Sequence, residues 1–226
     1  MPLKPFSGME ERAEIARDDS DVAYFKDLMM FGEMVAKMVV AGLVAAIGDD
    51  RERSRYRHLH SLVRSDGIGD WASALDEVLT GPSAQHLLAE AHVEQRELTQ
   101  KYGSETWQYQ AVAELYACVK IVDPAIEELA SKSDLKRWLH LFSRLRNKTK
   151  GHGAFTADVE SKLCPRLETA VRLLVDNCHL FTREWAFLHR NLSGKYKVTP
   201  LGATAESFAK LKSTPTENLV DGVYIF

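Results

Sequence analysis

The sequence has only three cysteines, Cys118, Cys164 and Cys178, and they lie far apart in apolar segments with helical spacing. An odd and sparse set of this kind excludes a disulfide framework and indicates reduced thiols. Cys164 and Cys178 are 14 residues apart, which is too far for a bridge within one helix. We therefore expect a cytoplasmic protein.

Long apolar runs are also missing. None reaches the roughly 18 residues that a membrane-spanning helix needs, and the nearest, residues 35–47, is interrupted by Lys37 and Gly42. The N-terminus carries Lys4 but lacks the apolar core of a secretory signal. These absences predict a protein with no membrane contact.

The sequence also has no large excess of charge of either sign, and it lacks the common catalytic motifs. A net charge of -3 gives no general attraction to nucleic acid, so any site for a polyanion must be a local patch. The sequence has no CxxC or HExxH pair, phosphate-binding loop, dinucleotide fingerprint or Ser-His-Asp elbow. His58 with His60, and His86 with His92, do not have a common zinc spacing. We expect no metal and no cofactor.

Helical periodicity extends from about residue 9 to residue 181 and predicts a mainly α-helical bundle. Ser20 is a good N-cap for the longest apolar segment, which ends at Gly48. Asp70 is placed to cap a helix that ends near Leu79. Further helices are predicted over residues 52–64, from Pro82 to about Lys101, and from Gly103, Ser133 and Thr156.

Further predictions concern the positions of single residues within these helices. Pro165 should kink or shorten the last helix. The aromatic rings of Trp107 and Trp138 are expected in the core. Glu90, Glu94 and Glu97 follow helical spacing and are predicted to form a solvated face.

The pattern changes after Phe181. Residues 184–189, 195–199 and 222–226 are strand-like, with a turn at 191–194 between the first two. An aromatic strand at the terminus without a polar tail indicates that a further domain follows Phe226. The predicted organisation is an N-terminal helical region (1–80), a helical bundle (81–181) and a small C-terminal β-rich extension (182–226).

The densest set of groups that handle phosphates and protons lies in residues 145–153. Arg146 can grip a phosphate through two parallel hydrogen bonds and stays charged at any working pH. His152 titrates near neutrality and can act as general base or acid. Asn147 can orient the imidazole or donate to a phosphate oxygen. These groups suit RNA cleavage by attack of the 2′-hydroxyl, which needs no metal.

The same residues permit a structural interpretation. The helix is predicted to end near residues 148–151, and cations followed by glycine are common at helix C-termini, where they complement the macrodipole. In the functional interpretation, Lys148 and Lys150 bind RNA. In the structural one, they only stabilise the helix end. The residues alone leave both open.

Arg146 is followed directly by Asn147, and five residues separate Arg146 from His152. This pattern resembles the Arg-Asn…His signature of the HEPN superfamily (higher eukaryote and prokaryote nucleotide-binding domains). The resemblance covers about residues 85–180. It implies a helical bundle with the motif at a junction between helices, and a homodimer in which two motifs form one composite site. It further implies a metal-independent endoribonuclease of a prokaryotic antiviral defence or toxin system.

By this resemblance Arg146 binds the scissile phosphate, His152 transfers the proton and Asn147 is the polar partner. Some members of the superfamily are catalytically silent. The alternative is therefore a non-catalytic HEPN-like module that senses a nucleotide or dimerises within a multidomain protein. A third interpretation is a helical adaptor in which Arg146 and His152 only cap helices.

A second basic group lies in residues 51–64, where cations alternate with other side chains. Arg53, Arg55 and Arg57 would contact an RNA backbone in the functional interpretation. Otherwise they form a solvated helix face beside the acidic residues at 49, 50 and 52. If RNA binds, this group is the expected positioning surface.

Overall fold

The structure is a computed structural model that describes residues 3–48, 53–65, 67–151, 156–190, 192–193, 195–202 and 221–225, with backbone only at 150 and 151. This part of the chain is mainly α-helical, as predicted. The helices are α1 (Lys4–Asp19), α2 (Asp21–Ala45), α3 (Ser54–Arg64), α4 (Ile68–Thr80), α5 (His92–Thr99), α6 (Trp107–Val122), α7 (Lys136–Gly151), α8 (Ala157–Asn177) and α9 (His179–Thr182). The strands are β1 (Tyr102–Gly103), β2 (Lys132–Ser133), β3 (Trp185–Arg190), β4 (Tyr196–Pro200) and β5 (Gly222–Ile225).

Helix α2 lies at the centre of the bundle and packs against α1, α4, α7 and α8. Ser20 caps it as predicted, because its hydroxyl accepts a hydrogen bond of 3.1 Å from the Ala23 amide. By length and composition alone α2 could cross a membrane, although no uninterrupted apolar run in it reaches 18 residues. More than half of its most apolar stretch is buried inside the bundle, as in the core helix of a globular protein.

Helices α6 and α8 pack along each other, and α7 lies against α6, α4 and α2. Trp138 and Phe142 of α7 are fully buried, and their rings stack with centroids 5.1 Å apart. The prediction that Trp138 belongs to the core is therefore confirmed. The Phe142 ring lies directly against Gly32 of α2, at a position where a Cβ atom would overlap it. A residue without a side chain thus lets α2 and α7 approach closely.

Two predicted helix starts are wrong. Helix α4 begins at Ile68, so Asp70 lies in its first turn and complements the helix dipole instead of capping it. At the start of α7, the carboxylate of Asp134 accepts from the Arg137 amide at 3.3 Å, whereas Ser133 lies in strand β2. In both cases an aspartate, Asp70 or Asp134, lies at the start of the helix, but the helix does not begin at the predicted residue.

The predicted helix from Pro82 to about Lys101 is also wrong. Residues 82–86 and 89–91 form two short 3-10 turns, and α5 begins only at His92. Between the turns the chain is extended, because Leu87 pairs with Ile47 just beyond the end of α2. Long-range pairing here overrides local helix propensity.

Two further boundaries differ from the sequence pattern. Helix α6 begins at Trp107 rather than near Gly103, because β1 and β2 form a small antiparallel ladder before it. Pro165 does not shorten α8, which continues on both sides of it to a length of 21 residues.

The three predicted C-terminal strands are present and form an antiparallel sheet in the order β4-β3-β5. Ala186 on the central strand pairs with Pro200 on one side and with Tyr224 on the other. The turn at 191–194 lies partly outside the described residues. Trp185 belongs to the buried core that α1 to α8 also form, and its indole donates a 3.0 Å hydrogen bond to the Leu180 carbonyl.

The apolar core draws residues from all three segments that the sequence analysis separates at residues 80 and 181. Those boundaries, and a further domain after Phe226, stay predictions. Cys118, Cys164 and Cys178 are buried free thiols. Burial raises the pKa of Cys118 and of Cys164 to about 12.

Replacing Gly32 by alanine should lower the free energy of unfolding by about 1–3 kcal/mol, because the new methyl group would overlap the buried Phe142 ring. Gly8→Ala is the matched control, since Gly8 also lies within a helix but has open space around it. That variant should raise stability by about 0.5–1 kcal/mol. Urea denaturation followed by circular dichroism measures both changes. Equal effects would contradict the close approach of α2 and α7.

Candidate functional site

The Arg-Asn pair lies in the last turns of α7, which ends at Gly151 within the predicted range. Arg146 is on the side of α7 that faces α2, whereas Asn147 is exposed. His152 lies outside the described residues, and so does the side chain of Lys150. The structure therefore describes the arginine and the amide of the motif, at the point where the chain leaves α7.

Arg146 forms a bidentate ion pair with Glu33 of α2. Its Nε atom donates to Oε2 at 2.7 Å, and its Nη2 atom donates to Oε1 at 3.3 Å. Both side chains are largely buried, with 18% and 22% of their surfaces exposed. The pair uses two of the five N–H donors of the guanidinium. The arginine is therefore fixed in orientation while part of its donor set is not committed to Glu33.

A second cation shares the same carboxylate. The Lys37 Nζ atom lies 3.1 Å from Glu33 Oε1 and 5.5 Å from the centre of the Trp71 ring. Burial by itself would raise the pKa of Glu33, but the hydrogen bonds and charges of Arg146 and Lys37 together outweigh it and lower that pKa. Glu33 is therefore held as a carboxylate between two cations.

The opposite side of the α7 end carries a second ion-pair group. Asp123, just after α6, accepts from Arg144 Nε at 2.8 Å and from its Nη2 atom at 2.6 Å. Lys148 Nζ lies 3.5 Å from the same oxygen. The hydrogen bond from Arg144 is the main cause of the lowered pKa of Asp123. Lys148 thus lies on the outer face of α7, away from Glu33.

The predicted RNA-binding arginines of the first basic run lie on another element. Arg53, Arg55 and Arg57 are exposed at the start of α3, which packs on α2 and α4. Arg57 donates to Ser54 Oγ at 3.1 Å. Arg55 lines a cavity of about 560 Å³ between the end of α2, α3 and β5. The structure therefore places these arginines and the cations of α7 on separate elements.

The prediction of a solvated face for the glutamates of α5 is wrong. Only 2% of the Glu94 side chain is exposed, and its carboxylate accepts from Arg183 and, at 2.7 Å, from His179 Nδ1. Glu97 accepts from the His179 amide at 2.9 Å. Burial favours a raised pKa at Glu94, but the bonds from Arg183 and His179 lower it. At Glu97 burial prevails, and its pKa is raised.

These contacts connect α5 to α9 and to Arg183, which directly follows α9. Helical spacing alone could not reveal them, because the partners of Glu94 lie 85 and 89 positions away in the sequence. Within the described parts of the chain, no cluster of three or more His, Cys, Asp or Glu side chains has the arrangement of a metal site.

Comparison of the chain with protein-family models, with curated proteins and with solved structures finds no match. The resemblance to the HEPN superfamily therefore depends on the motif residues Arg146, Asn147 and His152 alone. The geometry of α7 and Glu33 is accordingly the basis for any functional conclusion.

Replacing Glu33 by glutamine should lower the free energy of unfolding at pH 7 by about 1–2 kcal/mol, since Arg146 and Lys37 lose a shared carboxylate. The pKa of Glu33 is lowered in the folded state, so its stabilisation is full above the ordinary glutamate pKa and is lost as pH falls through the folded value. The difference between the parent and Glu33→Gln should therefore shrink in acid. Urea unfolding at a series of pH values measures it.

Glu127→Gln serves as control, because Glu127 is exposed on a loop. It should change stability little at any of these pH values. A stability difference between Glu33→Gln and the parent that stays constant down to pH 3 would show that the ion pair contributes nothing as a charge.

Proposed function

We propose that this chain is a HEPN-type, metal-independent endoribonuclease domain of a prokaryotic defence or toxin system, acting in the cytoplasm as a homodimer. One observation carries the proposal. Arg146 is held in a fixed, largely buried position by Glu33 at the end of α7, immediately before the segment that contains His152. A guanidinium held in a fixed orientation, with a titratable imidazole six residues later in the sequence, suits cleavage of a phosphodiester.

Arg146 is assigned to the scissile phosphate. The ion pair with Glu33 fixes the plane of the guanidinium, so less side-chain freedom is lost when a phosphate binds. The donors that Glu33 does not use can contact the non-bridging oxygens and stabilise the charge that grows on them as the 2′-oxygen attacks. Low exposure strengthens these electrostatic interactions relative to water.

His152 is assigned to proton transfer. It removes the proton from the 2′-hydroxyl, the 2′-oxygen bonds to phosphorus, and the bond from phosphorus to the 5′-oxygen breaks. The products are a 2′,3′-cyclic phosphate and a 5′-hydroxyl, whose proton comes from a second acid. In a homodimer, the His152 of the other copy would supply that proton. Asn147, exposed at the helix end, would orient an imidazole or donate to a phosphate oxygen.

The ion pair also supports the alternative function. A guanidinium already neutralised by Glu33 stabilises the contact between α2 and α7 whether or not it meets a substrate. A non-catalytic HEPN-like module, which senses a nucleotide or dimerises for an attached domain, would need no more than this. The two proposals differ in whether RNA is turned over.

Labelled total RNA incubated with the purified chain and EDTA should be cleaved to 2′,3′-cyclic phosphate ends. His152→Ala should reduce the rate by about 100-fold or more, the usual contribution of a general acid or base. Arg146→Lys should also lose most activity, because a lysine keeps the charge but not the two parallel donors. Denaturing gels and end-group analysis measure both effects.

Arg166→Ala is the matched control, since Arg166 of α8 also forms an ion pair with a glutamate of another helix, Glu114. It should leave cleavage near the parental rate. If neither the parent nor Arg166→Ala cleaves RNA, the binding-module alternative replaces the enzyme. If the parent is active only without EDTA, the metal-independent mechanism is wrong.

A further inference from the structure

Helix α7 is strongly cationic in a protein that is otherwise slightly acidic. Between Lys136 and Gly151 it carries six lysines and arginines and one histidine, with no aspartate or glutamate. Lys136, His140, Arg144 and Lys148 recur every four residues. This spacing places them on one face of the helix, over a length of about 18 Å. We call this face the basic stripe.

A cleft of about 660 Å³ borders the basic stripe. It is lined by Lys136, Arg137, His140 and Arg144 on α7 and by Lys101 and residues 125–127 opposite. Its floor includes the apolar side chains of Ile126 and Leu141. Four lysines and arginines line the cleft together with the carboxylates of Glu127 and Asp134, and Lys101 pairs with Asp134 at 2.9 Å.

The carboxylates beside the basic stripe do not neutralise it. Asp76 is shared by Lys136 at 3.2 Å and His140 at 3.0 Å. Asp123 is shared in the same way by Arg144 and Lys148. Each carboxylate thus holds two basic side chains in place. Lys136, Arg144 and Lys148 carry three positive charges against the two carboxylates, so one positive charge remains along the stripe. A row of fixed basic side chains beside an apolar floor matches a phosphate backbone with bases turned inward.

We infer that this cleft binds the backbone of single-stranded RNA and leads it to the Arg-Asn end of α7, an inference that rests on the proposed function. The cleft volume of about 660 Å³ lies in the range of roughly 300–1,000 Å³ that holds ligands of drug size, which is room for the nucleotides of one strand. His140, with 44% of its side chain exposed, offers a ring on which a base can stack. The stripe thus replaces Arg53, Arg55 and Arg57 as the positioning surface.

The inference is tested by binding, in the His152→Ala background so that the probe is not cleaved. The double substitution Lys136→Gln with Arg137→Gln removes two charges from the cleft. Fluorescence anisotropy with a labelled single-stranded RNA should show about a tenfold rise in Kd. The slope of log K against log salt should fall by about 1.4, the value for two lost phosphate contacts to a single strand.

Lys162→Gln with Arg166→Gln is the matched control on α8, with the same change of charge at exposed positions. It should leave Kd and the salt slope unchanged. Arg55→Gln with Arg57→Gln tests the rival surface on α3. Loss of binding only in that variant, or no binding of RNA by the parent, overturns the inference.

Competition experiments distinguish single-stranded RNA from duplex RNA and from a mononucleotide as the ligand of the cleft. Unlabelled single-stranded RNA should displace the probe, whereas duplex RNA and AMP should not do so at equal phosphate concentration. Displacement by AMP alone would indicate a mononucleotide site instead. As a check that needs no substitution in the cleft, RNA containing 4-thiouridine should crosslink to peptides from residues 136–148. Crosslinks confined to other helices contradict the inference.

The binding experiment tests the cleft separately from the nuclease proposal. If the parent does not cleave RNA but the cleft variant loses binding, the RNA-binding cleft stands and the nuclease proposal fails. If the parent cleaves RNA and the cleft variant binds and cleaves as well as the parent does, the nuclease stands and the cleft fails.

Discussion

The crossing of α2 and α7 is the contact on which the geometry of the candidate site depends. Two neighbouring residues of α2 meet two residues one turn apart on α7: Gly32 meets the Phe142 ring, and Glu33 meets Arg146. The missing side chain at Gly32 brings the helices close, and that closeness puts Glu33 within bidentate reach of Arg146. Apolar packing and an ion pair therefore share one geometry, and neither can relax without disturbing the other.

The same crossing divides the charges of α7 between two environments. Arg146 lies toward α2, where its charge is matched by Glu33 and shielded from water. The basic stripe lies on the exposed side, where two carboxylates are shared among its four basic side chains. One helix thus combines a fixed, neutralised cation inside with a surface of net positive charge outside. This division places the positive charge of α7 on the surface of a protein whose net charge is -3.

The sequence predicts what depends on local spacing. Ser20 caps α2, Trp138 is buried, and the three C-terminal strands lie where alternation places them. It fails where distant residues decide the outcome. Leu87 is extended because it pairs with Ile47, and the burial of Glu94 depends on partners more than eighty positions away.

In the candidate site, too, the sequence predicts the features that depend on neighbouring residues and misses those that depend on distant ones. Arg146 and Asn147 stand out in the sequence because the motif is contiguous, and the end of α7 was predictable from the glycines that follow. Glu33 could not be identified, since it lies 113 positions from Arg146 and belongs to an apolar helix. The cleft beside α7 was equally hidden, because Lys101 and the loop after α6 reach it only through the fold.

The contact of Glu94 with His179 and Arg183 has a consequence for the kinetics of unfolding. It closes a loop of the chain that contains α6, α7 and α8 entirely. We expect such a contact to form after those three helices have docked, because closing a long loop earlier costs entropy without the compensating contacts. Interactions made after the transition state slow unfolding more than they speed folding. The contact of Glu94 should therefore slow unfolding and prolong the lifetime of the folded bundle.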